Sequence, residues 1–138
     1  MKYEFIKNAT DDYTLKYKDK KFDFKSDINL TSKLQKALKL ARVEMIKDLA
    51  DEGISLKKFT IEEKKDGKTY YDNTNKNELE NTYIQTKQLE IIDEVCKDKF
   101  GQTLSELMVD IGLSDEKEEG DFAKDLGSYL TGNLPSGR

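Results

Sequence analysis

The stretch "YKDKKFDFKSDINLTSKLQKAL", residues 17–38, contains the end of one strand, a turn, a second strand and the start of a helix. Aromatic residues alternate with lysine and aspartate in its first part, and leucines recur at helical spacing in its second. The alternation begins upstream, in "DYTLKY", residues 12–17. We therefore predict a hairpin that turns at Asp19 and Lys20 and leads into a helix capped by Ser32.

The predicted turn sets the pairing of the two strands. It places Tyr17 opposite Phe22 and Leu15 opposite Phe24, so that one face of the sheet carries a ladder of large apolar side chains. A further alternating segment, "KYEFIKN" at residues 2–8, adds a third strand. The sequence therefore predicts an antiparallel meander at the N-terminal end of the chain.

The helix after Ser32 has a strong amphipathic pattern. Its predicted buried stripe consists of Leu34, Ala37, Leu38, Ala41, Met45, Ile46 and Leu49. Leu40 and Val43 fall off this stripe, which indicates that the helix packs on more than one neighbour. Gly53 is the residue at which we expect the helix to end.

A second hairpin is predicted around Asp66 and Gly67, because both central positions of a type I′ turn require positive φ and this pair suits them. The turn places Glu63 opposite Tyr70 and Ile61 opposite Asp72. The two strands hold few apolar residues, so we expect an exposed arm with an edge that could accept a strand from another chain.

Two more helices follow the hairpin. The first has its apolar residues in its C-terminal half and is expected to end at Gly101. Its predicted stripe is Leu89, Ile92, Cys96 and Phe100. The second is short, and Thr103 with Glu106 predicts a capping box at its start.

A last helix is predicted over about residues 121–131, after an acidic, glycine-bearing linker. Its apolar side is formed by Phe122, Leu126, Tyr129 and Leu130, which are the candidate partner-binding residues. The linker lets this helix move, and the sequence leaves open whether it closes on its own domain or docks on a neighbour. The predicted organisation is one domain over residues 1–131 and a disordered tail over residues 132–138. The predicted fold class is α+β: the meander and the hairpin, packed with three to four helices.

Composition argues against the common catalytic and metal sites. The 138 residues include no histidine and a single cysteine, so the usual general base and the ordinary zinc sites have no ligands. Cys96 lies on an apolar stripe and is expected to be a buried, unreactive thiol. The segment "DNTNKNELE", residues 72–80, has Glu78 where a calcium loop needs glycine. We predict a protein that is not an enzyme and binds no metal or cofactor.

Charge and hydropathy bear on partners and location. Residues 1–65 contain 16 Lys and Arg against 12 Asp and Glu, whereas residues 66–138 contain 8 against 16. The acidic second half argues against nucleic-acid binding, and the complementary halves suit contact between copies in a homo-oligomer. No apolar run is long enough for a membrane span or a signal-peptide core, so we expect no membrane partner and a cytoplasmic location.

Four segments carry a resemblance to a known group of proteins: "DDYTLKYKDKKFDF" at residues 11–24, "LARVEMIKDLADEG" at 40–53, "DGKTYYDN" at 66–73 and "FAKDLGSYLTG" at 122–132. In layout the chain resembles small tail-region proteins of long-tailed phages and prophages of Gram-positive bacteria. Among these it is most similar to the tail assembly chaperones. Family members coat the tape-measure protein and hand it to tail-tube subunits, often as oligomers.

The resemblance implies a phage assembly protein that acts by protein–protein contacts in the host cytoplasm, with the tape-measure protein or other tail proteins as partners. A virion structural component, such as a head–tail connector or a tail protein, is the second interpretation. The third is a phage-encoded inhibitor of a host protein, whose acidic half imitates nucleic acid.

Overall fold

The structure is a computed structural model that describes residues 2–133. Two compact units divide the chain: unit 1 comprises residues 2–33 and 91–133, and unit 2 comprises residues 34–90. The elements are three N-terminal strands, a hairpin and four α-helices, which confirms the predicted α+β class. The expectation of a single domain over residues 1–131 stays a prediction, and residues 134–138 of the predicted tail lie outside the described residues.

Unit 1 is built on an antiparallel sheet of β1 (Glu4–Ala9), β2 (Asp12–Tyr17) and β3 (Lys20–Lys25), in that order. The meander is therefore confirmed, but the predicted register of its second hairpin is wrong. Tyr17 pairs with Lys20 and Leu15 with Phe22, so the turn is formed by Lys18 and Asp19. Lys18 adopts a φ of 51°, a left-handed conformation that no sequence rule assigns to lysine.

The apolar face of this sheet survives the change of register, because moving the turn by one residue shifts each pairing by two and keeps every side chain on its face. All nine aromatic rings of unit 1 form one connected network of neighbouring rings. They are Tyr3, Phe5, Tyr13, Tyr17, Phe22, Phe24, Phe100, Phe122 and Tyr129. This network is the centre of the core of unit 1.

Helix α3 (Leu104–Ile111) lies in unit 1 and begins as predicted. The Thr103 hydroxyl accepts a hydrogen bond from the amide of Glu106, and the Glu106 carboxylate accepts one from the amide of Thr103. Leu104, Leu107 and Ile111 are buried. The capping box is therefore confirmed, and the helix that it begins buries three apolar side chains in the core.

Helix α4 (Glu116–Thr131) begins five residues before the predicted start. The Asp115 carboxylate accepts a hydrogen bond of 2.7 Å from the amide of Glu118 and caps the helix. The acidic residues that we interpreted as a flexible linker occupy the first turn, where the positive end of the helix dipole favours them. The linker prediction is therefore wrong.

Unit 2 contains most of α1 (Leu30–Asp51), a short 3₁₀ helix (Leu56–Phe59), the hairpin of β4 (Ile61–Lys65) and β5 (Lys68–Asp72), and the N-terminal part of α2 (Thr74–Phe100). Three side-chain pairs join α1 to α2 within this unit. Lys87 bonds Glu44 at 2.6 Å, Tyr83 donates to Asp48 at 2.8 Å, and Arg42 pairs with Glu80.

Helix α1 differs from its prediction at its start and in its buried stripe. It begins at Leu30, so Ser32 lies inside the first turn and is no cap. Ala37, Ala41, Met45 and Leu49 are buried as predicted, but Leu38 is only half-buried and Ile46 is 54% exposed. Gly53 follows the helix with a φ of 69°, the left-handed conformation expected at its end.

The C-terminal part of α2, from Ile91 onward, belongs to unit 1. Val95, Cys96 and Phe100 are buried, which confirms that the apolar end of this helix is core. Leu89 was predicted to belong to the same stripe and is 43% exposed, so that assignment is wrong. Gly101 ends the helix with a φ of 73°.

Candidate protein-binding surfaces

The four candidate partner-binding residues of α4 pack on the sheet of their own unit. Phe122, Leu126 and Leu130 are each at most 1% exposed. Tyr129 is half-buried, and its ring stacks on Phe5. Of the two arrangements that the sequence left open, the structure has the one in which α4 completes its own core. In this conformation Phe122, Leu126 and Leu130 are therefore inaccessible to a partner, and Tyr129 is accessible only in part.

Polar contacts also hold α4 against the N-terminal strands. The Tyr3 hydroxyl donates to the Asp125 carboxylate at 2.9 Å, and burial together with this bond raises the pKa of Tyr3. The Lys2 ammonium lies 3.0 Å from Glu118. Near the other end of the helix, the amide of Asp27 donates to the carbonyl of Leu130 at 2.6 Å. The helix is therefore fixed at both ends and is not a tethered arm.

A second polar cluster joins the turn after β2 to α3. The Asp110 carboxylate accepts hydrogen bonds from Tyr17 at 2.5 Å and from Lys20 at 2.6 Å. These two bonds hold the pKa of Asp110 at about 2. Burial and the bond to Asp110 raise the pKa of Tyr17 to about 12. The cluster links the hairpin of β2 and β3 to α3, and each of these charged or polar groups has a hydrogen-bond partner.

An open depression of about 420 Å³ lies beside this cluster and is lined by Gln102, Ser105, Glu106, Val109 and Asp110. The Asp110 carboxylate already accepts hydrogen bonds from Tyr17 and Lys20, and the Glu106 carboxylate already accepts its capping bond.

Within residues 2–133 no group of three His, Cys, Asp or Glu side chains is placed to hold a metal ion.

The single cysteine lies in the core of unit 1. Cys96 is fully buried, as predicted. Burial, with the negative charge of Asp93 as the smaller cause, raises the pKa of the thiol to about 12. The thiol is therefore protonated near neutral pH, and the protonated form is a poor nucleophile.

Exposed apolar side chains are concentrated in unit 2. Nine large apolar residues are exposed in the described chain, and seven of them lie between residues 34 and 90. These seven are Leu40, Val43, Ile46, Ile61, Tyr70, Tyr71 and Leu89. A concentration of this kind is a feature of surfaces that bind other proteins. Unit 2 therefore holds the candidate binding surfaces, of which there are two.

The first surface is the hairpin of β4 and β5. Its predicted register is confirmed: Glu63 pairs with Tyr70 and Ile61 with Asp72, and both Asp66 and Gly67 have positive φ. Every residue of the two strands is exposed, and the strands pair only with each other. The hairpin therefore leaves an outer edge on each strand that can accept a further strand.

The two edges of the hairpin differ in character. Strand β4 reads "IEEKK", and four of its five residues are charged. Strand β5 reads "KTYYD", with its charges at the two ends and Thr69, Tyr70 and Tyr71 between them. Charged side chains discourage strand addition, so the edge of β5 is the better acceptor.

The second surface is the outer side of α1. Leu40, Val43 and Ile46 are spaced three residues apart and are 59%, 65% and 54% exposed. The sequence pattern showed that Leu40 and Val43 lie off the buried stripe. It did not separate Ile46 from the stripe, because Ile46 directly follows the buried Met45 and lies at the border between the two sides of the helix.

Comparisons of the chain with protein-family models, with curated proteins and with solved structures found no match. Among residues 2–133, no helix combines the length and the apolar character that a membrane span requires.

Proposed function

We propose that this chain is a non-enzymatic phage assembly protein that acts by protein–protein contacts, and that it is a tail assembly chaperone with the tape-measure protein as its partner. The resemblance in the four quoted segments supports the phage assignment. The observation that carries the contact-based function is the concentration of seven exposed apolar side chains in unit 2.

The free-energy cost of keeping apolar side chains in water supports a binding role for these seven residues. Each exposed leucine, isoleucine or tyrosine keeps apolar area in water, and burial against a partner would stabilise a complex by roughly 25 cal/mol for each Å² removed. Single exposed apolar residues are ordinary in proteins, but groups of them mark interaction surfaces. In the described part of unit 1, Ile28 and Val109 are the only large apolar residues that are exposed. The exposed apolar side chains are therefore concentrated in unit 2.

The hairpin supports a partner with an extended or adaptable backbone. The outer edge of β5 offers unpaired backbone groups around Tyr70 and Tyr71. Backbone hydrogen bonds to such an edge depend little on the partner's sequence. A chaperone that has to cover a long chain at many places benefits from contacts of this kind.

Co-purification tests the proposal. The tape-measure protein from the same phage or prophage genome is tagged, co-expressed with this chain and captured. We expect the wild-type chain to be retained, and the double variant Tyr70→Ser, Tyr71→Ser to be retained less. The matched control is Ile28→Ser, Val109→Ser, which removes two exposed apolar side chains from unit 1 and should bind like the wild type. Failure of the wild-type chain to be retained would refute the tape-measure assignment.

Mass spectrometry of purified virions separates the chaperone from a virion component. A chaperone leaves before the particle is complete, so the chain should be absent from finished virions while it is present in infected cells. Its presence in virions at a fixed ratio to the tail-tube subunit would support a structural component instead.

A further inference from the structure

The outer side of α1 carries three apolar residues in a row. Leu40, Val43 and Ile46 follow one another at intervals of three residues, so they lie along one side of the helix over about 9 Å. Each is more than half exposed. They form a contiguous apolar ridge.

Basic residues surround this ridge. Lys36, Lys39 and Lys47 lie at helical positions on the same side, and all three are exposed. None of them has an ion-pair partner within residues 2–133. We call the set of Lys36, Lys39, Leu40, Val43, Ile46 and Lys47 the basic ridge.

The acidic residues of the same stretch of α1 face elsewhere. Glu44 bonds Lys87 of α2, and Asp48 accepts a hydrogen bond from Tyr83 of α2. These contacts pair the two carboxylates of α1 with side chains of α2 within unit 2. The six residues of the basic ridge therefore combine apolar side chains with positive charge, and the next acidic residue on this side is Asp51, the last residue of α1.

We propose that the basic ridge docks an amphipathic helix of a partner protein, in which apolar side chains are flanked by Asp and Glu. The inference deepens the proposed function, on which it rests, by naming the chemistry of the partner segment. The apolar centre supplies the anchors, and the three lysines set the orientation by pairing with acidic flanks. The distance from Lys36 to Lys47 is about 16 Å, which a partner helix of about 11 residues spans.

The composition of the ridge disfavours two other occupants, a second copy docked through the same ridge and a nucleic acid. A second copy docked through the same ridge would bring two sets of three lysines together, and like charges across an interface oppose binding. A nucleic acid would pair with the lysines but would leave the three aliphatic side chains without an apolar partner. An anionic lipid surface remains the competing occupant, since basic amphipathic helices also bind such surfaces.

Peptide binding tests the proposal on the full chain. The probe is a fluorescent synthetic helix with leucines at positions i, i+3, i+4 and i+7 and glutamates beside them. The control probe has lysine in place of each glutamate and keeps the leucines. By fluorescence anisotropy we expect the glutamate peptide to bind at least about tenfold more tightly, because only its flanks complement the lysines.

Two variants locate the binding on the ridge. Val43→Asp should abolish binding of the glutamate peptide, whereas Val109→Asp, at another exposed helical valine, should leave it unchanged. The double variant Lys39→Glu, Lys47→Glu should reverse the preference and favour the lysine peptide. Reversal cannot result from unfolding, so this variant also controls for stability.

The results that would overturn the proposal are equally specific. They are no binding of the glutamate peptide, equal binding of both peptides, wild-type binding by Val43→Asp, and binding only to phosphatidylserine vesicles. The tape-measure assignment is tested separately. A chain that binds the glutamate peptide but not the tape-measure protein keeps this proposal and refutes that assignment. If the tape-measure protein captures Val43→Asp as efficiently as the wild type, the tape-measure assignment is kept. The proposal that the basic ridge docks the partner is then refuted.

Discussion

Tyr129 of α4 lies nearly parallel to Phe5 of β1, with ring centroids 4.4 Å apart and ring planes inclined by 14°. The same Phe5 ring also neighbours Phe122 and Phe24, so the last helix and the first strand share one aromatic core. Unit 1 therefore joins residues 2–33 to the last helix, and its stability depends on both.

Truncation of Phe122 should strongly destabilise unit 1. The side chain is fully buried and contacts the rings of Tyr3 and Phe5, so Phe122→Ala removes apolar contacts and leaves a cavity. We expect a loss of about 3–5 kcal/mol in the free energy of unfolding. Urea unfolding followed by the near-UV circular dichroism of the tyrosines measures it. Val109→Ala is the control, and its effect should stay within about 0.5 kcal/mol.

A chain that ends at Gly120 should fail to fold unit 1. It lacks Phe122, Leu126 and Leu130, all of which are buried. We expect loss of the near-UV signal and rapid proteolysis of residues 2–33. A truncated chain with the near-UV spectrum and protease resistance of the full chain would mean that α4 is dispensable for the core.

The helices and strands of the fold were predicted from the sequence more accurately than the turns that connect them. Alternating aromatics determine which face of β2 and β3 is buried, and this holds for any register that differs by two residues. The position of the turn depends on a positive φ at Lys18, which has no signature in residue type. At Asp66 and Gly67 the residue types do carry that signature, and there the register was predicted correctly.

The candidate site was harder to predict than the fold, for a physical reason. An apolar stripe such as Phe122, Leu126 and Leu130 has the same pattern whether it packs on its own sheet or on a partner. The acidic residues before it were interpreted as a linker because their charge suggested solvation, whereas their position at a helix N-terminus makes them helix-stabilising. The exposed ridge of Leu40 and Val43 was visible as a departure from the buried stripe, but only the structure shows it uncovered.

The link between Asp110 and Lys20 should make stability depend on pH in the acid range. The pKa of Asp110 falls from its ordinary 3.8 to about 2 through hydrogen bonds from Lys20 and Tyr17. A lowered folded-state pKa adds stability that is fully present above the ordinary pKa and is lost as the pH falls from about 4 to about 2. Asp110→Asn should therefore be less stable near neutral pH and lose less further stability over that range. Urea unfolding at several pH values measures this, and parallel curves for variant and wild type would contradict it.

Cys96 should react slowly with a thiol reagent in the native protein. The thiol is fully buried and its pKa is raised to about 12, so access and ionisation both oppose reaction. We expect the labelling rate to rise sharply in urea, at the denaturant concentrations that unfold unit 1. Complete labelling of the native chain on the timescale of a free cysteine would show that this part of the core opens readily.

Hydrogen–deuterium exchange most directly tests the claim that unit 2 presents the partner surface. The full chain is measured alone and in the presence of the tape-measure protein from the same genome. We predict slower amide exchange in residues 34–51 and 61–72 on binding, and unchanged exchange in β1, β2, β3 and α4. Protection confined to residues 2–33 and 91–133, or no protection at all, would contradict the claim.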